Sequence, residues 1–461
     1  MSRLLPRGGD CLNRMAALAL FTASPKPAIL ILGYLCVACF VIALVLTGMT
    51  KLAGLFYVLA MLLGAPLLFL VEWRRVHINR AALVFSILYL GLLTLYAGHM
   101  IFGEGQLNSI ENIVRIGAGL INGLFFFVMF RCRRAPLFGL LVMVAALNAL
   151  LLSAFAISSG LVSGSLLHVG ARVDGASNAI AYSELLAVSF GAVLIYAGGR
   201  ISRAGQWRYL ALLAVLAALG LLALLMTGTR GTLLAMPVLA VLVALALRVR
   251  HAIWASFLIL VVLAGVAFTF SPAMHKRTVG MVRDVKSLIT EEVSGSSVSV
   301  STRMRYRLWA ASIEMSKDRL LFGYGQGQFN DALKSLRPRP PEARKLYIFD
   351  HAHNQFLNIL VEGGLVGLLL FVGMLATMVY AGARCVARSA YRERGLVLVW
   401  VALAYSVFGL TQAFFLHGVT TLQFGVYAGL LLWAMPERRG LRVWPFGRTA
   451  DVATAATQVR S

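Results

Sequence analysis

Charge is scarce in this sequence. Only 13% of its 461 residues are Asp, Glu, Lys or Arg, against 60% hydrophobic residues, and the mean hydropathy is +0.83. A water-soluble globule of this length must coat itself with polar side chains, and the chain holds too few of them. Cysteine is also sparse, and the five present are scattered. Cys11, Cys132 and Cys385 fall in short basic connectors, Cys36 and Cys39 inside the first apolar run, and none in the long polar segment near the C-terminal third. No structural disulfide is therefore expected, and no zinc or iron–sulfur site. Strict apolar and polar alternation is missing as well, which argues against a membrane β-barrel. No apolar stretch near the start leads to a small-residue cleavage site; Ser24, Pro25 and Pro27 lead into a full-length span, so a cleavable signal is not expected.

What is present is a series of long apolar runs. A hydrocarbon core of about 30 Å needs roughly 20 apolar residues per helix. The chain offers twelve such segments, near 29–48, 52–71, 81–102, 113–130, 135–157, 177–198, 209–227, 232–248, 252–270, 355–381, 396–416 and 420–435. The expectation is an all-α integral membrane protein with about twelve transmembrane helices. The connectors at 72–80, 131–134, 198–208, 248–251 and 382–395 are basic, as are the start and the stretch 436–442, while the alternate short connectors hold almost no Lys or Arg. The positive-inside rule then places both termini in the cytoplasm. Four parts follow: nine spans over 1–270, a large polar loop over 271–354 on the outer face, three spans over 355–436 and a cytoplasmic tail over 437–461. About half of the net charge of +24 is topological arginine at the cytoplasmic rim, suited to anionic lipid.

The outer arginines need another reason. In the polar loop, HKRTVGMVRDVKSLITEEVSGSSVSVSTR reads as loosely packed and serine-rich. After it, RMRYRLWAASIEM reads as an amphipathic helix with Ser301 and Thr302 as N-caps. Arg303 and Arg307 share one face of it, and Met304, Leu308, Ala311 and Met315 form an apolar side expected to lie on the bilayer. Arg230, in TGTRGT at the outer end of a span, is either a snorkelling arginine or part of an oxyanion pocket; its guanidinium fork suits a pyrophosphate. Asp350, His351, His353, Asn354 and Gln355 crowd the mouth of the next span. In an extended segment His351 and His353 point opposite ways, which disfavours a metal site. A histidine titrating near neutrality fits a general base, and His353 adjoins the helix that would hold it. GYGQG at 323–327 has no preceding strand and the wrong spacing for a dinucleotide fingerprint, and reads as a tight turn against the membrane.

The order TGTRG, R-x-x-x-x-x-W (303–309), FGYGQGQF (322–329) and HAHNQFLNILVEGGLVGLLLF (351–371) resembles the O-antigen ligase and O-antigen polymerase superfamily of bacterial inner-membrane glycosyltransferases. The resemblance covers the topology of the whole chain, and its specific motifs lie within 227–371. Leu321 departs from it, since many members carry proline before the Phe-Gly element. It implies a GT-C-like fold with a large, partly helical periplasmic loop, and a polysaccharide donor on undecaprenyl diphosphate. The acceptor would be a sugar hydroxyl of lipid A-core, and the product complete lipopolysaccharide. The family's essential residues match Arg230, Arg303 and His353, which would clamp the diphosphate and activate the acceptor. Arg305, Arg307, His351, Asn354 and Arg172 complete the set expected to contact substrate. Membrane lipids are the other partners; no nucleic acid, cofactor or metal is expected, because arginine would take the role of a divalent ion. O-antigen polymerase and protein O-oligosaccharyltransferase are the alternatives within the superfamily. A polytopic transporter is the alternative outside it, although the polar groups gather at one face and no two-half repeat is apparent.

Overall fold

A computed structural model gives the architecture, and the described residues are 27–50, 52–68, 77–102, 134–162, 178–248, 300–337, 343–435 and 441–442, with isolated positions at 110, 113, 114 and 117. In chain order the helices are α1 (Pro27–Leu46), α2 (Leu52–Leu68), α3 (Arg80–Ile101), α4 (Arg134–Val162), α5 (Ala179–Ala204), α6 (Leu210–Met226), the short α7 (Arg230–Leu233), α8 (Met236–Ala246), α9 (Val300–Asp318), α10 (Phe329–Ser335), the short α11 (Ala343–Leu346), α12 (Gln355–Val386), α13 (Arg392–Gly409) and α14 (Gly418–Trp433). Among the described residues the only extended pairing is β1 (His77–Ile78) with β2 (Leu441–Arg442), antiparallel. Among the described residues five helical segments are long and apolar enough to cross a membrane, and four shorter apolar ones accompany them. Ten of the twelve expected spans coincide with described helices. The expected spans at 113–130 and 252–270 lie outside the described residues, apart from isolated positions in the first.

Side-chain oxygens set the helix starts. Asn79 accepts from the Ala81 N–H at 2.8 Å and Asn178 from the Ala181 N–H at 2.8 Å, each satisfying an amide that the helix itself leaves open. α5 stops at Gly205, whose φ of 64° is the left-handed C-terminal turn that glycine adopts without strain.

Small residues bring the central helices close. A Cβ on Gly382 would lie 2.7 Å from the carbonyl oxygen of Gly395, so α12 and α13 meet backbone to backbone. A Cβ on Gly191 would strike the Trp400 indole at 2.3 Å; that indole is fully buried and donates to the Val188 carbonyl at 3.1 Å. α5, α12, α13 and α14 thus form the buried heart of the bundle. One end of that heart is closed by aromatic rings: Phe414 lies 4.8 Å from Tyr405 and 6.0 Å from Phe371, and Phe415 lies 5.5 Å from Phe371 and 5.6 Å from Phe424, centroid to centroid.

A second, smaller core stands beside this end. Met304, Leu308, Ala311 and Met315 of α9 bury against Phe329, Leu333, Leu346, Ala352 and Val361. This corrects the expectation that the apolar side of the helix lies on the bilayer, because protein side chains fill it instead. Ser301 and Thr302 lie within α9, which already includes Val300, and do not precede it as caps.

Candidate active site

α12 is broken near its start. Gly364 has φ 62° and ψ −163°, a backbone region open essentially to glycine alone. The break exposes backbone groups that a straight helix would use internally, and the glycine-rich turn takes them up. Tyr324 N–H donates to the Val361 carbonyl at 2.9 Å and Gly325 N–H to the Glu362 carbonyl at 2.8 Å. In return Leu365 N–H donates to Leu320 O at 2.7 Å and Val366 N–H to Leu321 O at 3.1 Å. A Cβ on Gly323 would sit 2.6 Å from the carbonyl carbon of Glu362, and one on Gly364 2.3 Å from the carbonyl oxygen of Leu321. The glycine-rich sequence is therefore a backbone clamp on the kinked span.

Glu362, in the same kink, is 2% exposed. It accepts from the Gly327 N–H and from the Asn358 side-chain amide, each at 2.9 Å. Asn358 in turn accepts from the N–H of Ala352, at 3.2 Å, the residue between the two histidines. Asn330 donates to the carbonyls of Tyr347 and Phe349 at 2.7 and 2.8 Å, which fixes the approach to them. Asn354 is the N-cap of α12 and accepts from Phe356 and Leu357 N–H at 2.9 and 3.1 Å. Asn354 was expected from sequence to contact substrate; its side-chain oxygen is committed to the helix.

The histidines do not point apart. His353 has φ 51°, uncommon for a residue with a side chain, and this turn brings the two rings to 4.2 Å between centroids. The expectation of an extended segment with opposed histidines is corrected by that one dihedral angle. Nδ1 of His351 lies 2.5 Å from Asp350 Oδ1, and its Nε2 lies 3.1 Å from Nδ1 of His353. His353 Nδ1 also lies 3.2 Å from Gln412 Oε1, and the Gln412 side-chain nitrogen contacts Nε2 of His417.

This network admits one consistent placement of protons, assigned from the hydrogen bonds. The Asp350 carboxylate accepts from His351 Nδ1–H, which leaves His351 Nε2 as a lone pair. That lone pair accepts from His353 Nδ1–H, as does the Gln412 oxygen. His353 Nε2 is then the unprotonated nitrogen, the atom a base uses. The His351 ring N–H, chiefly, holds the Asp350 carboxyl below its usual range. Burial and then the neighbouring His351 push His353 down to about 4; the Gln412 bond opposes this and Arg305 adds to it. Burial and then His351 push His417 to about 4 as well.

The arginine turn reaches the same place from another side. Gly228 adopts φ 64°, and a run of hydroxyls fixes the turn: Thr227 to Thr229 at 2.8 Å, Thr229 to Thr232 at 3.4 Å and Thr232 to Ser183 at 2.6 Å. A Cβ on Gly231 would fall 2.3 Å from the Thr411 hydroxyl, so the backbone following Arg230 packs on the residue preceding Gln412. Arg303 and Arg307 are half-buried on α9. Of the α9 arginines, Arg305 is one whose charge acts on His353. Arg172 lies outside the described residues.

Gln412 and His417 were missed in the sequence. The signal was a polar pair five residues apart in LTQAFFLHGVT, between two apolar runs. Glu362 was missed too, although an acid inside an apolar span is conspicuous. Among the described residues no three His, Cys, Asp or Glu side chains gather as a metal-ligand set.

Helices of membrane-spanning character, with a polar histidine network at one end of their bundle, indicate a polytopic membrane protein with a candidate site there. Residues 214–372, from α6 through the kink of α12, match the family model described as O-Antigen ligase. The match covers that segment only, and it supports a member of the O-antigen ligase/polymerase superfamily, a family of glycosyltransferase-like enzymes. No curated protein matches the chain.

Proposed function

We propose that this protein is an O-antigen ligase. It transfers a polysaccharide from undecaprenyl diphosphate to a sugar hydroxyl of lipid A-core and so completes lipopolysaccharide. The reading places the enzyme in the bacterial inner membrane, with twelve spans in a GT-C-like arrangement, the loop 271–354 in the periplasm and the site at the outer face. The observation that carries it is the contact of His351 Nε2 with His353 Nδ1 at 3.1 Å, from which Nε2 of His353 is assigned as the unprotonated nitrogen.

In the proposed step the acceptor oxygen attacks the anomeric carbon while its proton passes to His353 Nε2. The bond from that carbon to the diphosphate oxygen breaks, and undecaprenyl diphosphate leaves with the electron pair. A single displacement of this kind inverts the anomeric configuration. Arg230 and Arg303 hold the diphosphate and stabilise its growing charge in place of a divalent ion. Arg305, Arg307 and Arg172 extend the anionic subsite, and His351 passes the effect of Asp350 to His353.

Reconstitution tests the reading. Purified protein in liposomes with undecaprenyl-diphosphate glycan should attach glycan to added lipid A-core and leave the donor unchanged without it. Lengthening of the donor glycan without a second acceptor would instead assign a polymerase, and transfer to a protein hydroxyl an oligosaccharyltransferase.

A further inference from the structure

The connection between α13 and α14, residues 410–417, lies outside the segment that matches the ligase family. It is nonetheless built as firmly as the helices. Thr411 and Gln412 N–H both donate to the Phe408 carbonyl at 2.9 Å. Phe415 N–H donates to the side-chain oxygen of Gln355 at 2.9 Å. Thr420 and Thr421 hydroxyls return to Phe414 O at 2.7 and 3.2 Å. The phenylalanines of this connection are buried in the ring cluster described above. Gln412, at its start, is 3% exposed, and both ends of its amide are used: Oε1 at His353 Nδ1 and Nε2 at His417 Nε2.

We propose that Gln412 is a positioning residue for His353: its amide oxygen holds the Nδ1 proton and aims Nε2 at the acceptor. The inference rests on the reading of His353 as the base. The amide orientation follows from the rest of the network. Were Gln412 to present its nitrogen, two donors would compete at His353 Nδ1 or two lone pairs would face each other across His351 Nε2. Presenting oxygen removes the conflict, and His417 then accepts the amide N–H and fixes the flip. A buried glutamine with both ends bonded could also serve folding alone, so the test needs a reading that folding would not move.

The assay is transfer by the full chain in liposomes, with kcat, KM for donor and the pH profile taken for Gln412→Met, Gln412→Glu and His353→Ala. The groups that face His353 are His351, Asp350 and Arg305, and none of them changes in the two Gln412 variants. Methionine fills the space without an acceptor. Its kcat should fall by about tenfold to a hundredfold, the effect of one lost hydrogen bond to a charge developing on the imidazole, with KM for donor unchanged. Glutamate restores an acceptor and adds negative charge at Nδ1–H. It should recover kcat above neutrality and move the acid limb of the profile upward by about one unit or more. An acid limb in Gln412→Glu that stays where the wild type has it, or a Gln412→Met enzyme with wild-type kcat, overturns the proposal if His353→Ala is inactive. A fully active His353→Ala overturns the base itself, and the role of Gln412 with it.

Discussion

The kink of α12 gives the sharpest test of how the site is held. Gly364→Ala places a methyl group 2.3 Å from the Leu321 carbonyl oxygen and 2.5 Å from the Phe322 nitrogen. These neighbours are backbone and cannot rotate away. The dihedral angles, φ 62° and ψ −163°, cost a residue with a side chain about 1–3 kcal/mol. Relief requires the 320–325 turn to move off the helix, which breaks the bonds from Leu365 and Val366 N–H, worth about 0.5–1.5 kcal/mol each. The sum is about 2–6 kcal/mol. Gly363→Ala is the control: its Cβ would meet Leu95 at 3.4 Å and Tyr96 at 3.5 Å, ordinary side-chain contacts at a residue without the positive φ of Gly364. Thermal unfolding of the detergent-purified proteins should show Gly364→Ala well below both wild type and Gly363→Ala. Limited proteolysis should cut it faster between 319 and 328, and its transfer rate should fall because Gly327, Glu362 and Asn358 link the clamp to Ala352. A Gly364→Ala protein as stable and as active as the control would refute the reasoning.

Two further outcomes are expected. If His353, held at about 4, is the base and acts deprotonated, kcat/KM should stay flat from neutrality down to about pH 5 and drop about tenfold per unit below the pKa; a bend near the ordinary histidine value of about 6.5 would remove His353 as the group that titrates. If arginines take the place of a divalent ion, transfer should persist in excess EDTA, and elemental analysis of active protein should find no stoichiometric metal; activity lost to EDTA and restored by Mg²⁺ or Mn²⁺ contradicts an arginine-only site.

Much of the helical framework was legible because apolar runs are properties of single segments. The span starts at 355 and near 177 follow from where the apolar runs begin, and the Asn354 and Asn178 caps emerge only in the structure. The histidine pair was legible as chemistry but not as geometry: a positive φ at a residue other than glycine is set by what surrounds it, here Gln412, the Asn354 cap and the bond from Ala352 to Asn358. α9 was legible as an amphipathic helix, yet the pattern of Met304, Leu308, Ala311 and Met315 is the same whether lipid or protein covers it. Only the second core, assembled from segments as distant as Val361, decides that. Gln412 and His417 were illegible for a related reason. They gain meaning from a contact across 59 residues of chain, and no spacing rule connects them to His353.

A base at about 4 is weak toward a sugar hydroxyl, and its causes show what could strengthen it. The first cause is burial and the second the His351 ring, with Arg305 adding to both. Burial is fixed by the fold, but the influence of Arg305 depends on what that arginine faces. An anionic diphosphate held among the arginines would offset their charge and stabilise a proton on His353. Donor binding and base strength are then linked, and the linkage is reciprocal: an anion that raises the pKa of His353 binds more tightly once the histidine is protonated. The enzyme would thus acquire its working base when the donor arrives. On that reading the acceptor hydroxyl would be activated only beside a leaving group already held in place.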